Sequence, residues 1–340
     1  MTGPRGRQPT LEEVARRAGV GRGTASRVIN GSDHVSDRSR AAVLDAVAEL
    51  GYVPNLAARA LVTRRTDTIA VVIAEDEDRV FGEPFFAGVI RGISRALSDA
   101  DLQLVLLLAD SSTGRGDRLP SFLTRQHVDG ALFLSVHDRD SLPDQIRPLG
   151  IPVVLGGRAA GSEDMLSVDV DNALGARLAV DHLVHRGRRR IATITGPLDL
   201  MAGRERLLGY EDGLRAVGLP LDPALVVNGD FSLPSGEAAM RQLMVRSPDL
   251  DAVFCANDLM AAGALRVLHE ARRRVPADVA VVGFDDSPQA LSTHPQLTSV
   301  HQSPERMGRE MVALLLQLLA DPDGAESRIL PTHLVVRSSS

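Results

Sequence analysis

The chain has 340 residues, of which 44% are hydrophobic and 24% charged, and it contains one cysteine. This length allows two or three domains that each bury a core, and no apolar run approaches the roughly 18 to 20 residues that span a bilayer. Residues 1–10 lack the apolar core of a signal peptide, and Cys255 alone cannot form an internal disulfide. We therefore expect a cytoplasmic protein that makes no contact with a membrane.

The formal net charge of −6 is unevenly distributed along the chain. Residues 1–65 contain 11 arginines and six acidic residues, a balance of +5, which leaves −11 for residues 66–340. A basic end on an acidic body is expected where only one end meets phosphates. The charge pattern therefore favours double-stranded DNA as a partner of the N-terminal region.

Two short helices with a tight turn are predicted in this basic region. Thr10 and Glu13 have the spacing of a capping box, and apolar residues recur at helical spacing over 11–18. A turn at residues 19–21 leads to a second helix, in which Ala25 and Val28 can face the first. The polar residues near the start of that helix are where a recognition helix contacts DNA: Arg22, Thr24, Ser26 and Arg27. The alternative is an ordinary helical hairpin with solvated arginines.

A third helix and a short hinge are predicted next. Residues 37–50 form a helix with Ser36 as its N-cap, and residues 54–65 form a stretch too short to be a stable helix alone. Leu61 would then act as an apolar wedge in a DNA minor groove. The neighbouring contacts to the DNA backbone or groove edges would come from Asn55, Ala58 and Arg59. The alternative is a plain linker with Leu61 packed on the body.

The remaining chain, from residue 66 to 340, alternates apolar runs with amphipathic helices, which predicts α/β structure with parallel sheets. A second series of strands begins near residue 191, so two similar halves are implied. Ligands bind beyond the carboxyl ends of such strands. Polar residues follow the predicted strands at Arg158, Asn257 and Asp285. The body is therefore predicted to close on a ligand.

A catalytic role for the same polar residues is the alternative to ligand binding. Asp285, Asp286 and His301 could form a glycosidase-like set, but adjacent residues on an extended segment point to opposite sides. The chain has no GxSxG, Walker A, HExxH or GxGxxG motif. We expect no enzyme activity, no cofactor and no metal.

The segments TLEEVARRAGVGRGTASRVING and AVAELGYVPNLAARAL resemble the LacI/GalR family of bacterial transcription regulators, and the resemblance extends over the whole chain. It implies that Arg22, Gly23 and Arg27 read bases, that Asn30 contacts a phosphate, and that Leu61 inserts into the minor groove. Thr10 completes the predicted DNA-binding set. Gly21 and Gly23 stand where many members carry side chains, so base recognition is expected to depend on the two arginines.

The body resembles the effector domain of the same family, through GPLDLMAGRERLLGY, VFCANDLMAAGAL and VVGFDDSP. The resemblance implies the fold of periplasmic sugar-binding proteins. In that fold Arg204, Asn257 and Asp285 would bind sugar hydroxyls, Phe231 would stack on the sugar ring, and Gln302 would line the hinge side of the ligand site. The first strand-to-helix loop and Arg158 are expected to form the other wall, and the loop residues are Glu83, Phe85 and Phe86. EDEDRVFGEPFF is longer than usual and resembles cellobiose and cello-oligosaccharide regulators of actinobacteria.

The sequence thus predicts a small all-α helix-turn-helix headpiece (1–53), a hinge (54–65) and an α/β periplasmic-binding-protein-like effector domain of two parallel-sheet subdomains (66–340). The function implied is a homodimeric repressor of sugar-utilisation genes that a small sugar releases from a palindromic operator. A regulator that tightens on DNA with a corepressor and a solute-binding protein for uptake are the alternatives.

Overall fold

The computed structural model describes residues 9–29, 34–53, 65–109, 119–138, 140, 145–146, 148, 150–162 and 164–340. The chain divides into two compact units, with the division between residues 66 and 67. Five of the predicted DNA contacts lie outside the described residues: Asn30, Asn55, Ala58, Arg59 and Leu61. The predicted hinge and its wedge therefore stay predictions.

The first unit contains three helices, α1 (Leu11–Arg17), α2 (Arg22–Ile29) and α3 (Asp37–Leu50). The predicted capping box begins α1: the Glu13 amide donates to the Thr10 hydroxyl at 3.3 Å, and the Thr10 amide donates to the Glu13 carboxylate at 2.8 Å. The three helices bury one small apolar cluster, built on Val14, Ala15, Ala25, Val28, Val43 and Ala46. The predicted three-helix core is confirmed.

The first lobe of the second unit is a parallel six-stranded sheet. Its strands are β1 (Thr68–Ile73), β2 (Gln103–Leu108), β3 (Gly130–Leu134), β4 (Val153–Gly156), β5 (Leu166–Val170) and β11 (Arg328–Leu330). They lie in the order β11-β5-β4-β3-β1-β2. The helices of this lobe are α4 (Glu77–Gly82), α5 (Pro84–Asp99), α6 (Leu119–Phe122) and α12 (Pro304–Ala320).

The second lobe repeats this arrangement. Its strands are β6 (Ile191–Thr195), β7 (Val226–Asn228), β8 (Ala252–Cys255), β9 (Ala280–Asp285), β10 (Thr298–His301) and β12 (His333–Val335). They lie in the order β12-β10-β9-β8-β6-β7, and only β12 runs antiparallel to its neighbour. The helices are α7 (Asn172–His185), α8 (Met201–Ala216), α9 (Leu233–Arg246), α10 (Asp258–Glu270) and α11 (Pro288–Ser292).

The chain passes between the lobes after β5, after β10 and after β11. Strands β3 and β9 are buried along their whole length, because helices cover both faces of a parallel sheet, and this explains their unbroken apolar sequences. The predicted two-lobed α/β body is therefore observed. Its connections bring loops from both lobes to one cleft.

Candidate ligand cleft and nucleic-acid interface

A cleft lies between the two lobes of the second unit. Each lobe contributes the loops that follow its strands, as expected for open parallel sheets. Seven of the nine predicted ligand-binding residues line it: Glu83, Phe85, Phe86, Arg158, Phe231, Asp285 and Gln302. The cleft also holds polar residues that were not predicted: Arg79, Ser135, Asp169, Asn172 and Arg206.

Asn257 lies outside the lining, contrary to its predicted place in the ligand site. Its side chain is fully buried, accepts a hydrogen bond from the Met260 amide at 2.9 Å and donates one to the Phe231 carbonyl at 2.8 Å. Because both ends of the amide are bonded to the backbone, Asn257 caps α10 and fixes the loop that carries Phe231. Its role is to position an aromatic residue of the cleft.

Arg204 also lies outside the lining, although the family resemblance implied that it would contact the sugar. Its guanidinium forms two hydrogen bonds with the Asp138 carboxylate, one of them 3.0 Å long. The neighbouring Arg206 lines the cleft instead. On α8 the buried positions 203, 206, 210 and 213 share one helix face. Arg206 lies on this buried face and Arg204 does not, so helical spacing distinguishes the two arginines.

Arg206 is almost fully buried and is held from several sides. Its Nε donates to the Asn172 side chain at 2.9 Å, its Nη1 donates to the Ala256 carbonyl at 2.6 Å, and its guanidinium carbon lies 3.6 Å from the centroid of the Phe284 ring. The Asp285 carboxylate lies 3.6 Å away. Ion pairing offsets the cost of burying this charge and leaves a preorganised cation in the cleft.

Two carboxyl groups face each other across the cleft. Burial raises the pKa of Glu83 to about 7, against the opposing effect of Arg79, and burial likewise raises the pKa of Asp285. Gln302 donates a hydrogen bond to Asp285 at 2.6 Å. The adjacent Asp286 points away, toward Arg337 and His301. The argument that neighbouring aspartates diverge therefore holds.

The aromatic part of the cleft is Phe231, whose backbone lies in the left-handed region with φ of 69°. Ser135 and Asp285 also have positive φ values, 57° and 108°. Such conformations cost free energy in residues other than glycine and concentrate at ligand sites. The surrounding fold therefore fixes these three side chains in unusual directions.

A second cavity adjoins the first and shares Arg79, Glu83 and Phe231 with it. Arg79 is paired with Glu75 at 2.5 Å and with Glu83 at 3.3 Å, and its guanidinium lies 5.3 Å from the Phe231 ring centroid. Arg79 lies on α4, which belongs to the long segment EDEDRVFGEPFF. Helix α4 thus contributes to the lining of both cavities.

The predicted DNA-contacting residues that the structure describes lie on and around α2. Arg22, Gly23 and Arg27 are exposed, whereas Thr24 and Ser26 are half-buried. Arg22 is paired with Glu12 at 2.8 Å, and Thr10 is engaged in the helix cap. Exposed arginines on the second helix form the surface that a recognition helix presents to a major groove.

Comparisons with known proteins match segments in both units of the chain. Residues 10–55 match the bacterial regulatory proteins of the lacI family, and residues 180–340 match the periplasmic binding protein-like domain. The HTH-type transcriptional regulator CelR of Thermobifida fusca is 53% identical, covering 98% of this chain and 99% of its own. The chain belongs to the LacI family. Another LacI-family relative, the ribose operon repressor of Escherichia coli K12, is 33% identical, covering 97% of this chain and 99% of its own.

Two solved structures extend the comparison. A complex of the transcriptional regulator CelR with cellobiose is 51% identical, with a TM-score of 0.78, over 98% of this chain and all of that one. The lac repressor dimer bound to operator and the anti-inducer ONPF is 29% identical, with a TM-score of 0.87, over 98% of this chain and 99% of that one. As a LacI-family member the chain is a transcription regulator and not an enzyme, and the predicted fold and family are confirmed. Within the described ranges, no helix is long and apolar enough to cross a membrane.

Proposed function

We propose that the chain is a repressor of sugar-utilisation genes that binds a palindromic operator as a homodimer and releases it when cellobiose or a related oligosaccharide binds. The relatives support this proposal, because they include a regulator solved with cellobiose and a repressor dimer solved on its operator. Residues 1–53 would contact DNA, residues 54–65 would form the hinge, and residues 66–340 would bind the sugar. The protein would act in the cytoplasm, where it meets the chromosome.

The observation that carries the proposal is the chemistry of the cleft. Carboxylates and arginines that face one cavity bind vicinal hydroxyl groups in pairs, and a fixed aromatic ring covers the apolar face of a pyranose. Glu83, Asp285 and Arg206 supply the polar groups, and Phe231 supplies the ring. Arg158 and Gln302 complete the set that we propose to contact sugar.

The adjoining cavity favours an effector longer than a monosaccharide. The two cavities share Arg79, Glu83 and Phe231, so a ring in the inner cavity could continue into a second ring in the outer one. The outer cavity combines apolar side chains with polar ones, and the polar ones, among them Asp230 and Ser232, suit sugar hydroxyls. A disaccharide would therefore contact α4 as well as the inner cleft.

Operator binding titrated against a panel of sugars tests this function. The operator is first selected from random DNA with the full-length protein, and its affinity is then measured with glucose, cellobiose, cellotriose, maltose and ribose. We expect cellobiose or cellotriose to weaken operator binding at least about tenfold, within the usual range of allosteric coupling.

The variant Asp285→Asn, which keeps the size of the side chain, should bind the operator normally and lose the response to sugar. If no sugar of the panel changed operator affinity, the sugar proposal would be contradicted. A sugar that tightens operator binding would instead indicate a corepressor.

A further inference from the structure

Three polar pairs cross from one lobe to the other beside the start of α8. Each joins a loop that follows a strand of the first lobe to the α8 region of the second lobe. The pairs are His137–Asp199, Asp138–Arg204 and Arg158–Glu205. We propose that these pairs form an interlobe latch that holds the cleft closed and thereby sets how tightly the effector is bound. This inference builds on the proposed sugar response, and the latch residues act by positioning the lobes.

The central pair of the interlobe latch is bidentate. The Nη1 and Nη2 atoms of Arg204 both donate to the Asp138 carboxylate. The Asp138 backbone amide donates to the Asp199 carbonyl at 3.0 Å. A bidentate arginine–carboxylate contact fixes orientation as well as distance. The loop after β3 is therefore tied to the α8 region by both side-chain and backbone contacts, and opening the cleft must break all of them.

The third pair is anchored within its own lobe. Arg158 donates from Nη2 to Glu205 at 2.6 Å, and from Nε to Asp169 at 3.1 Å. Asp169 is almost fully buried, so it holds the arginine in place when Glu205 moves away. Because Arg158 also lines the cleft, this pair connects the sugar cavity directly to the latch.

The first pair requires a proton. The His137 Nε2 lies 3.0 Å from the Glu75 carboxylate and its Nδ1 lies 2.9 Å from the Asp199 carboxylate. A carboxylate can only accept from a ring nitrogen, so both contacts form together only when His137 is an imidazolium. The further charged groups around it are Asp138 and Asp140 on its own loop, Arg79 beside Glu75, and Arg204 beside Asp138.

Closing the cleft should therefore take up a proton. Hydrogen bonding to Glu75 and to Asp199 raises the pKa of His137 to about 9. Asp199 belongs to the other lobe, so part of this rise is lost when the cleft opens. Glu75 belongs to the same lobe as His137, so the pKa of His137 stays above its ordinary value when the cleft is open. The latch contribution is therefore fully present below this open-state pKa and disappears as pH rises through about 9. Sugar affinity should fall across this interval.

The first test compares the wild type with the triple variant Asp138→Asn, Asp199→Asn, Glu205→Gln. None of these three residues lines the cleft. Exposed and half-buried pairs each contribute up to a few-fold, so we expect cellobiose to bind about tenfold more weakly at pH 7 while sugar-free operator affinity stays within about twofold. The matched control is Glu237→Gln, which removes two ion pairs inside one lobe and should leave cellobiose affinity unchanged.

Hydrogen exchange of residues 196–206 without sugar tests the latch independently of the effector. These amides should exchange several-fold faster in the triple variant and at the wild-type rate in Glu237→Gln. If wild-type protein binds no sugar but the triple variant exchanges faster, the sugar proposal is wrong and the latch stands. If exchange is unchanged, or if exchange becomes faster while cellobiose affinity stays at the wild-type value, the latch is overturned.

The variant His137→Gln tests whether His137 takes up a proton when the cleft closes. Calorimetry in buffers of different ionisation enthalpy should show proton uptake on cellobiose binding by the wild type near pH 8, and less uptake by the variant. The difference isolates His137 from Glu83 and Asp285, which also titrate near the cleft. Equal proton uptake by the two proteins would remove His137 from the latch.

Discussion

At the scale of single residues, the cleft depends on how Phe231 is held. A Cβ atom added to Gly196 would lie 2.1 Å from the ring, so only glycine leaves room for the phenyl group there. Asn257 binds the carbonyl of Phe231 from the other side. The ring is therefore fixed before any ligand arrives, which lowers the entropy lost on binding.

The variant Phe231→Leu tests the proposed stacking of the Phe231 ring on the sugar. Leucine keeps the apolar character but lacks the flat face, so we expect cellobiose to bind about tenfold more weakly, at the upper end of aromatic contact energies. Phe254→Leu is the matched control, because Phe254 is fully buried in a core away from the cleft lining. It should lower the unfolding temperature and leave sugar affinity unchanged, and equal affinity losses in both variants would contradict a stacking role.

At the scale of elements, the start of α2 has two glycines with open space around them. Gly21 precedes the helix and Gly23 lies in its first turn. A Cβ would meet nothing within 4 Å at Gly21, and only the end of Arg27 at 4.0 Å at Gly23. Packing within the headpiece therefore does not require these glycines, and the DNA surface around Arg22 and Arg27 is left open.

The cost of glycine in α2 can be measured with Gly23→Ala. Alanine in a helix is roughly 0.5 to 1 kcal/mol more favourable than glycine, so amides of residues 22–29 should exchange about two- to fivefold more slowly. Gly19→Ala also has open space but sits at φ of 66°, where alanine is strained, and it should speed exchange. Similar effects of the two variants would contradict this explanation.

At the scale of the whole molecule, buried acids make the effector domain sensitive to pH. Burial raises the pKa of Glu83 to about 7 and that of Asp258 to about 6, and it also raises the pKa of Asp285. The unfolded chain ionises these groups near pH 4, before the folded chain can. The contribution of these groups to stability is therefore greatest below their unfolded pKa and is lost as pH rises through about 7.

This loss is tested by thermal unfolding of the full-length protein between pH 5 and pH 8. The unfolding temperature of the wild type should fall over this range, and Glu83→Gln, which cannot ionise, should show a smaller fall. Glu326→Gln changes an exposed acid and should follow the wild type. A Glu83→Gln protein with the full pH dependence would show that other groups control it.

The sequence by itself determined the elements and their order, because helix caps and apolar spacing act between near neighbours. The capping box at Thr10, the buried faces at Ala25 and Val28, and the parallel strands all follow from such local rules. Arg158 and Asp285 line the cleft as expected, since polar residues after parallel strands meet at one edge, and the family resemblance placed five further lining residues there.

Only the tertiary structure decided which side chains face the ligand and which hold the lobes together. Arg206 enters the cleft while Arg204 binds Asp138, a partner 66 residues away in the chain, and Asn257 caps a helix. Arg79 and His137 gain their roles from α4 and from the opposite lobe. These contacts join residues far apart in sequence, so the packing of the two lobes had to place them.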